Sequence, residues 1–354
     1  MSGRRRANVV GLGLIGGSIG MALRDQGWTV TGYDRDASHS ARALELGAID
    51  AVGTDPHADA SFVATPVKAV AEEARQVLAA TSGLVTDVGG VKRSICDAVD
   101  DPRFVGGHPM AGSERDGVAG SDPNLFRGAV WVLTPTARTD GQAFADLRSI
   151  VSGLGAEVVS MPPAEHDRMV AVVSHVPHHT AATLMTVADE RSLDHRALLR
   201  LAAGGFRDMT RIASGPPGIW PDICETNREA ILEAIDGLVG ALGDVRDVVA
   251  SGERQPLVKL LERAREARMN LPDRFGRPSQ LIELLVPVPD RPGAIAEVAN
   301  TATRLDVNIL DLEIMHSTEG LGGVMHLIVE AHRAEQLRDA LNNVGFATSL
   351  RKLV

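Results

Sequence analysis

One short run constrains this chain more than any other. Gly11-Leu12-Gly13-Leu14-Ile15-Gly16 follows an apolar strand-like segment directly and opens a helical pattern. In such a G-x-G-x-x-G run the first glycine permits a tight turn and the second lets a pyrophosphate reach the backbone. The third lets helix and strand pack closely. The helix start behind it offers unpaired N–H groups and a partial positive charge to phosphate oxygens. Asp34 closes the next apolar segment, at about the 20-residue distance where an acid accepts bonds from ribose hydroxyls. The six loop residues and Asp34 therefore predict a dinucleotide site. Asp34 favours NAD by repelling a 2′-phosphate, whereas Arg35 beside it could stabilise one, which leaves NADP open as the second choice.

The surroundings of the loop set the fold class. Apolar runs at Ala7–Gly13, Thr29–Asp34, Ser61–Thr65, Leu84–Val88, Phe104–His108 and Val130–Leu133 alternate with helical patterns such as Gly16–Gln26 and Val67–Ala79. Such alternation predicts a parallel sheet covered on both faces, a Rossmann-type α/β domain over 1–161. From Pro162 the pattern turns helical, over 163–190, 195–213, 222–250 and 255–269, with breaks at Gly204–Gly205 and the Ser-Gly-Pro-Pro-Gly run at 214–218. Ile231, Ile235, Leu238 and Leu242 mark one apolar face, and so long a strand-free block must bury broad faces. We expect an all-α domain over 162–271 that pairs with the same block of a second subunit, giving a homodimer. A polar linker over 272–280 leads to a small α+β segment over 281–354. There Leu281–Pro287 and Gly323–Glu330 read as strands, and Ala294–Leu305 and Ala334–Asn342 as helices.

Composition removes several function classes. The 354 residues carry a formal charge of −10, against the basic face that a nucleic-acid partner demands. The basic start lacks the apolar core and cleavage site of a signal peptide, and no run is long enough to span a membrane. Cys96 and Cys224 are far apart and in no metal-ligand spacing, so we expect reduced thiols and a cytoplasmic protein.

The chemistry is carried by Gly106-Gly-His108-Pro-Met-Ala-Gly-Ser113-Glu114, which follows a predicted strand. A histidine there can accept a hydroxyl proton while hydride leaves the same carbon, because imidazole titrates near neutral pH. In order along the chain, GLGLIGGS (11–18), ATP (64–66), TDVGGVK (86–92), GGHPMAGSE (106–114), HD (166–167), SHVPH (174–178) and GFRDMTRIA (205–213) resemble the prephenate/arogenate dehydrogenase family. The resemblance covers about residues 7–270. It implies that His108 is the catalytic histidine on the ring C4 hydroxyl, that Arg211 binds a substrate carboxylate and that His178 lines the substrate pocket. It further places Ser113 by the nicotinamide, with Thr65, Pro66 and the turn at Asp87 bordering the cofactor. The substrate is then prephenate or arogenate, and the reaction an oxidative decarboxylation that needs no metal.

The residues themselves fit these assignments. A guanidinium fork suits the carboxylates of such a substrate, although Arg211 could instead pair with Asp208 or Glu114. His166, Ser174 and His178, spaced by multiples of four, should share one helical face, with a kink at Pro177. His175 and His179 have helical spacing for a metal pair, but no glutamate occupies the metalloprotease positions. Trp220 reads as a packing residue. Gly90 departs from the family's usual serine, which removes a hydroxyl expected near the nicotinamide. A 3-hydroxyacid dehydrogenase would need a catalytic lysine, and 162–213 contains none. A 2-hydroxyacid dehydrogenase with a similar C-terminal segment would carry its cofactor domain mid-chain. A transcription-regulating NAD sensor would need a basic helix-turn-helix.

Asp290-Arg291-Pro292-Gly293 and the later Asn308-Ile309 pair resemble the ACT family of amino-acid-binding regulatory domains. That resemblance implies a ferredoxin-like α+β domain whose turn and helix start bind an effector such as tyrosine; a fold kept only for dimerisation is the alternative.

Overall fold

The structure is a computed structural model, and it describes residues 4–112, 117–195, 197–271, 281–289, 291–316 and 322–352. The chain forms two compact units, Met1–Asp244 and Val245–Val354.

The first unit is built on eight strands: β1 (Arg6–Val10), β2 (Thr29–Tyr33), β3 (Ala51–Val52), β4 (Ala60–Val63), β5 (Leu84–Asp87), β6 (Phe104–Pro109), β7 (Val130–Thr134) and β8 (Glu157–Ser160). Their order is β3-β2-β1-β4-β5-β6-β7-β8. All neighbours pair in parallel except β6 and β7, which are antiparallel. The expectation of a parallel sheet is thus corrected at one edge, where β7 and β8 run against the rest. Among the described residues, only a short 3-10 turn at Val118–Gly120 separates β6 from β7, and strands joined without a helical crossover can run antiparallel.

Helices α1 (Leu14–Asp25), α2 (Ala37–Glu45), α3 (Val67–Ala80), α4 (Arg93–Ala98) and α5 (Gly141–Gly153) clothe the sheet. Alternation along β1 divides the core in two. Ala7 and Val9 join Ile19 and Leu23 of α1 and Leu147 and Val151 of α5. Val10 joins Val70, Ala74 and Val77 of α3 and Ile95 of α4. Each fully buried Val, Leu or Ile contributes about 1.5–3 kcal/mol, so the two layers hold the strand ends in fixed positions.

The helical part follows with α6 (Pro163–Val170), a π turn (Ala171–His175), α7 (Val176–Asp194), α8 (Gly204–Thr210), α9 (Trp220–Thr226) and α10 (Arg228–Ser251). The 195–213 pattern breaks just before the paired glycines named from the sequence, into a 3-10 turn, α8 and a second 3-10 turn at Arg211–Ser214. The face shared by His166, Ser174 and His178 is altered. Pro177 has no N–H to donate to Val173 and crowds that carbonyl, and the helix widens into the π turn just before it. The extra residue in that turn brings His175 round beside His166, so these two are buried while Ser174 is half-buried.

The second unit contains α11 (Arg254–Met269) and a four-stranded antiparallel sheet of order β10-β11-β9-β12, with β9 (Leu281–Pro289), β10 (Asp311–His316), β11 (Gly322–Glu330) and β12 (Ser349–Lys352). Helices α12 (Ala294–Arg304) and α13 (Ala331–Asn343) complete a βαββαβ, ferredoxin-like path. Leu284, Val286 and Val288 of β9 pack with Val298 of α12 and Leu337 and Leu341 of α13. Strands β10 and β12 escaped the sequence reading. The expected linker 272–280 and Asp290 lie outside the described residues.

Candidate active site

The glycine loop is shaped by contacts that a side chain would destroy. Gly11 has φ +88, and a Cβ there would lie 2.5 Å from the Ala64 carbonyl oxygen. A Cβ on Gly16 would lie 1.9 Å from the Gly11 carbonyl oxygen. At Gly13 a Cβ would meet nothing within 4 Å, which leaves the open approach a pyrophosphate requires. Gly13 caps α1 without a side-chain bond, so the first-turn N–H groups face outward as donors. The Leu12 side chain is buried in the core, and its N–H donates to Asp34 Oδ2 at 2.8 Å. Leu14 and Ile15 are half-buried at the helix start, and Arg35 is exposed beyond the strand.

Asp34 Oδ1 accepts from the Asp36 N–H and has His39 Nδ1 at 3.4 Å. Thr65, after β4, holds a buried hydroxyl oxygen with no partner among the described residues, and Pro66 caps α3. An orphaned hydroxyl, an uncapped helix start and a loop with open room at its middle glycine fit a bound dinucleotide. Asp87 was expected beside it, yet its side chain is fully buried. The carboxylate pairs with Lys92 and accepts from the backbone N–H groups of Gly89 (2.8 Å) and Gly107 (3.2 Å). What the Asp87 turn can offer a cofactor is therefore its backbone.

His108 lies at the end of β6, above this turn. Its Nδ1 is 2.9 Å from His166 Nε2, and His166 Nδ1 is 2.8 Å from Asp167 Oδ1. The carboxylate can only accept, so His166 donates from Nδ1; with His166 neutral its Nε2 is bare, and His108 then donates from Nδ1. This assigns the tautomer of His108 and leaves its Nε2 as an unprotonated acceptor. A Cβ at Gly90 would come 3.7 Å from that same Nε2, so the serine hydroxyl that Gly90 lacks would have stood beside the base. Burial, then the neighbouring His166, Lys92 and His175, hold the His108 pKa well below the usual imidazole value.

Asp167 is fixed in turn by the N–H groups of Lys92 (2.7 Å) and Arg93 (2.9 Å) at the start of α4. Asn227 donates to the Asp167 carbonyl at 2.9 Å. The fully buried Lys92 also donates to the Gly107 carbonyl at 2.8 Å, which ties the strand carrying His108 to the Asp87 turn. His166, Asp167 and Lys92 were not among the site residues expected from sequence. The signals were the His-Asp pair at 166–167, the helical face on which His166 was placed, and Lys92 at the end of TDVGGVK; their meaning depends on where α6 packs.

His178 stacks on Trp220 with ring centroids 3.7 Å apart and an interplanar angle of 15°, so Trp220 packs, as expected, but against a candidate substrate residue. Burial, then His179, lowers the His178 pKa. His179 Nε2 faces Cys224 Sγ at 3.3 Å. Arg211 is exposed and begins the 3-10 turn that packs on α7, the helix carrying His178. Ser113 lies outside the described residues. An apolar cavity of ≈ 700 Å³ between α7, Met209, Ile212 and α10 has none of His108, His178 or Arg211 in its lining.

In the second unit, Arg291 forks onto Glu297 in the first turn of α12 through bonds of 3.1 and 2.7 Å. Pro292 and Gly293 are exposed, with Gly293 left-handed at φ +88. Asn308 is exposed, and Ile309 packs on the small core.

Residues 19–160 match the nucleotide-binding domain of prephenate dehydrogenase, and residues 162–263 match its dimerisation domain. The prephenate dehydrogenase of Bacillus subtilis (strain 168) is 35% identical, covering 94% of this chain and 95% of that protein. The chain belongs to the prephenate dehydrogenase family. Among solved structures, the Aquifex aeolicus prephenate dehydrogenase in complex with hydroxyphenyl propionate and NAD+ superposes with TM-score 0.71 at 32% identity, covering 76% of this chain and 99% of that one. The arogenate dehydrogenase of Synechocystis gives TM-score 0.66 at 31% identity, over 74% and 98%. Membership of the prephenate dehydrogenase family agrees with the described geometry, in which the glycine loop and His108 belong to one compact unit.

Proposed function

We propose that the chain catalyses the NAD-dependent oxidative decarboxylation of prephenate to 4-hydroxyphenylpyruvate, a step of tyrosine biosynthesis. The observation that carries this reading is the chain of contacts from His108 Nδ1 through His166 to Asp167, which leaves the His108 Nε2 to accept a proton. A bound NAD would supply the acceptor for the hydride of ring C4. His108 Nε2 takes the C4 hydroxyl proton as the hydride departs, carbon dioxide leaves C1, and the proton returns to the phenolic oxygen. Aromatisation drives the step, and the protein positions and deprotonates.

Gly11, Gly13, Gly16, Asp34 and Thr65 hold the dinucleotide. Arg211 and His178 hold the substrate, with the Arg211 fork on a carboxylate, and Ser113 belongs to the same pocket. Arogenate, which carries an ammonium where prephenate has a ketone, is the second reading, supported by the likeness to the Synechocystis enzyme. An NADH-formation assay with both substrates and with NAD and NADP tests all of these; a chain inert toward both acids would refute the proposal.

The division into 1–161, 162–271, a linker 272–280 and 281–354 supplies the working parts. The helical part leaves Val172, Val173, Met209 and Leu242 between 56% and 64% exposed, and these cover one another in a homodimer. The ferredoxin-like path of the C-terminal part suits an ACT domain, with Arg291, Pro292, Gly293, Asn308 and Ile309, together with Asp290, at the effector site. No helix among the described residues is long and apolar enough to cross a membrane, and we assign the enzyme to the cytoplasm.

A further inference from the structure

Lys68 stands in the first turn of α3, immediately behind Thr65 and Pro66. Its Nζ reaches Asp222 Oδ1 at 3.0 Å and Glu225 Oε2 at 2.7 Å, both on α9. One ammonium thus joins the strand–helix loop of the nucleotide-binding half to the helix that begins with Trp220. Trp220 in turn stacks on His178, and Asn227, just past α9, holds the Asp167 carbonyl. The three charged side chains are 49%, 32% and 61% exposed. Ion pairs so open to water add little to folding stability, so what the bridge supplies is position. It spans from the turn behind Thr65 to the helix whose first residue stacks on His178.

We propose that Lys68 is a positioning residue that couples the dinucleotide site to the acid-binding pocket, so that occupation of one strengthens binding at the other. This rests on the proposed function, since it requires NAD at the Thr65 loop and the acid beside His178. A shared element with two arrangements couples sites reciprocally. The bridge from the cofactor loop to α9, made or broken, would supply two such arrangements, and its side chains are assigned to neither ligand.

The test is calorimetric titration of hydroxyphenyl propionate, with and without saturating NAD, for the wild type, Lys68→Gln and Lys68→Arg. Lys68→Gln should bind NAD alone with unchanged affinity and melt at an unchanged temperature. It should lose the NAD-dependent gain in acid affinity by about 5-fold or more, with KM for prephenate raised and kcat little changed. Lys68→Arg, which keeps the charge, should retain the gain, and Asp222→Asn with Glu225→Gln should reproduce the loss. A full NAD-dependent gain in Lys68→Gln overturns the inference, and so does weakened binding of NAD alone, which would make Lys68 a cofactor contact. A wild type that binds no acid overturns the proposed function and this inference together; a wild type with the gain and a Lys68→Gln that keeps it overturn only the inference.

Discussion

At the scale of single residues, the proposed chemistry depends on where two protons sit. Asp167 accepts from His166, which therefore accepts from His108, and the far nitrogen of His108 is left bare. Replacing His108 by Asn removes that base, and turnover should fall by roughly 100-fold or more while NAD affinity, read by titration, stays intact. The pH dependence has a definite sign. Burial lowers the His108 pKa, and it pushes His175 down to about 4 against the opposing pull of Asp167. Between that value and the usual imidazole value near 6.5, the unfolded chain binds more protons than the native one. Stability should therefore rise with pH across this window and be lost as pH falls through it, by up to ~1.4 kcal/mol per pH unit for each such proton. Urea unfolding measured from pH 7 to 4 should show that slope, and His175→Gln should flatten it.

Among the elements, the junction of β5, α4 and β6 bears the site. Lys92 lies fully buried with its ammonium shared between Asp87 and the Gly107 carbonyl. Removing one partner of a buried pair strands the other charge, which costs about 3–5 kcal/mol. Lys92→Met should destabilise by that order in chemical denaturation, and Lys92→Met with Asp87→Asn should recover part of it. A merely exposed lysine would show neither effect. The π turn before α7 makes a second point at this scale. A proline whose missing N–H breaks the helical ladder has, through the wider turn before it, altered which histidine faces inward.

For the whole molecule, the exposed apolar side chains of the helical part predict association. Sedimentation at micromolar concentration should give a dimer, and Leu242→Lys with Val173→Lys should shift it toward monomer without loss of helix content. A wild type that sediments only as monomer would reject this. The ferredoxin-like part predicts a ligand response: tyrosine should raise the melting temperature or alter activity, and Arg291→Ala should weaken that effect. Failure of tyrosine, phenylalanine and tryptophan alike would leave the C-terminal domain a structural one.

What the sequence alone determined is what short-range sterics and periodicity can specify. The glycine loop was legible because tight turns and close backbone approach tolerate no Cβ at Gly11 and Gly16. The strands that lead to Thr65 and His108 were legible as short runs buried almost throughout, and the one that leads to Asp34 as a run alternating between buried and half-buried residues. The reversed β7 and β8 were not, since strand direction is a property of pairing rather than composition. Nor was the His108–His166–Asp167 relay: its members come from segments 58 residues apart, and Asp167 caps a helix start 75 residues away. Only packing of α6 against α4 and β7 brings these groups together, and hydrogen bonds made across such distances leave no local pattern along the chain.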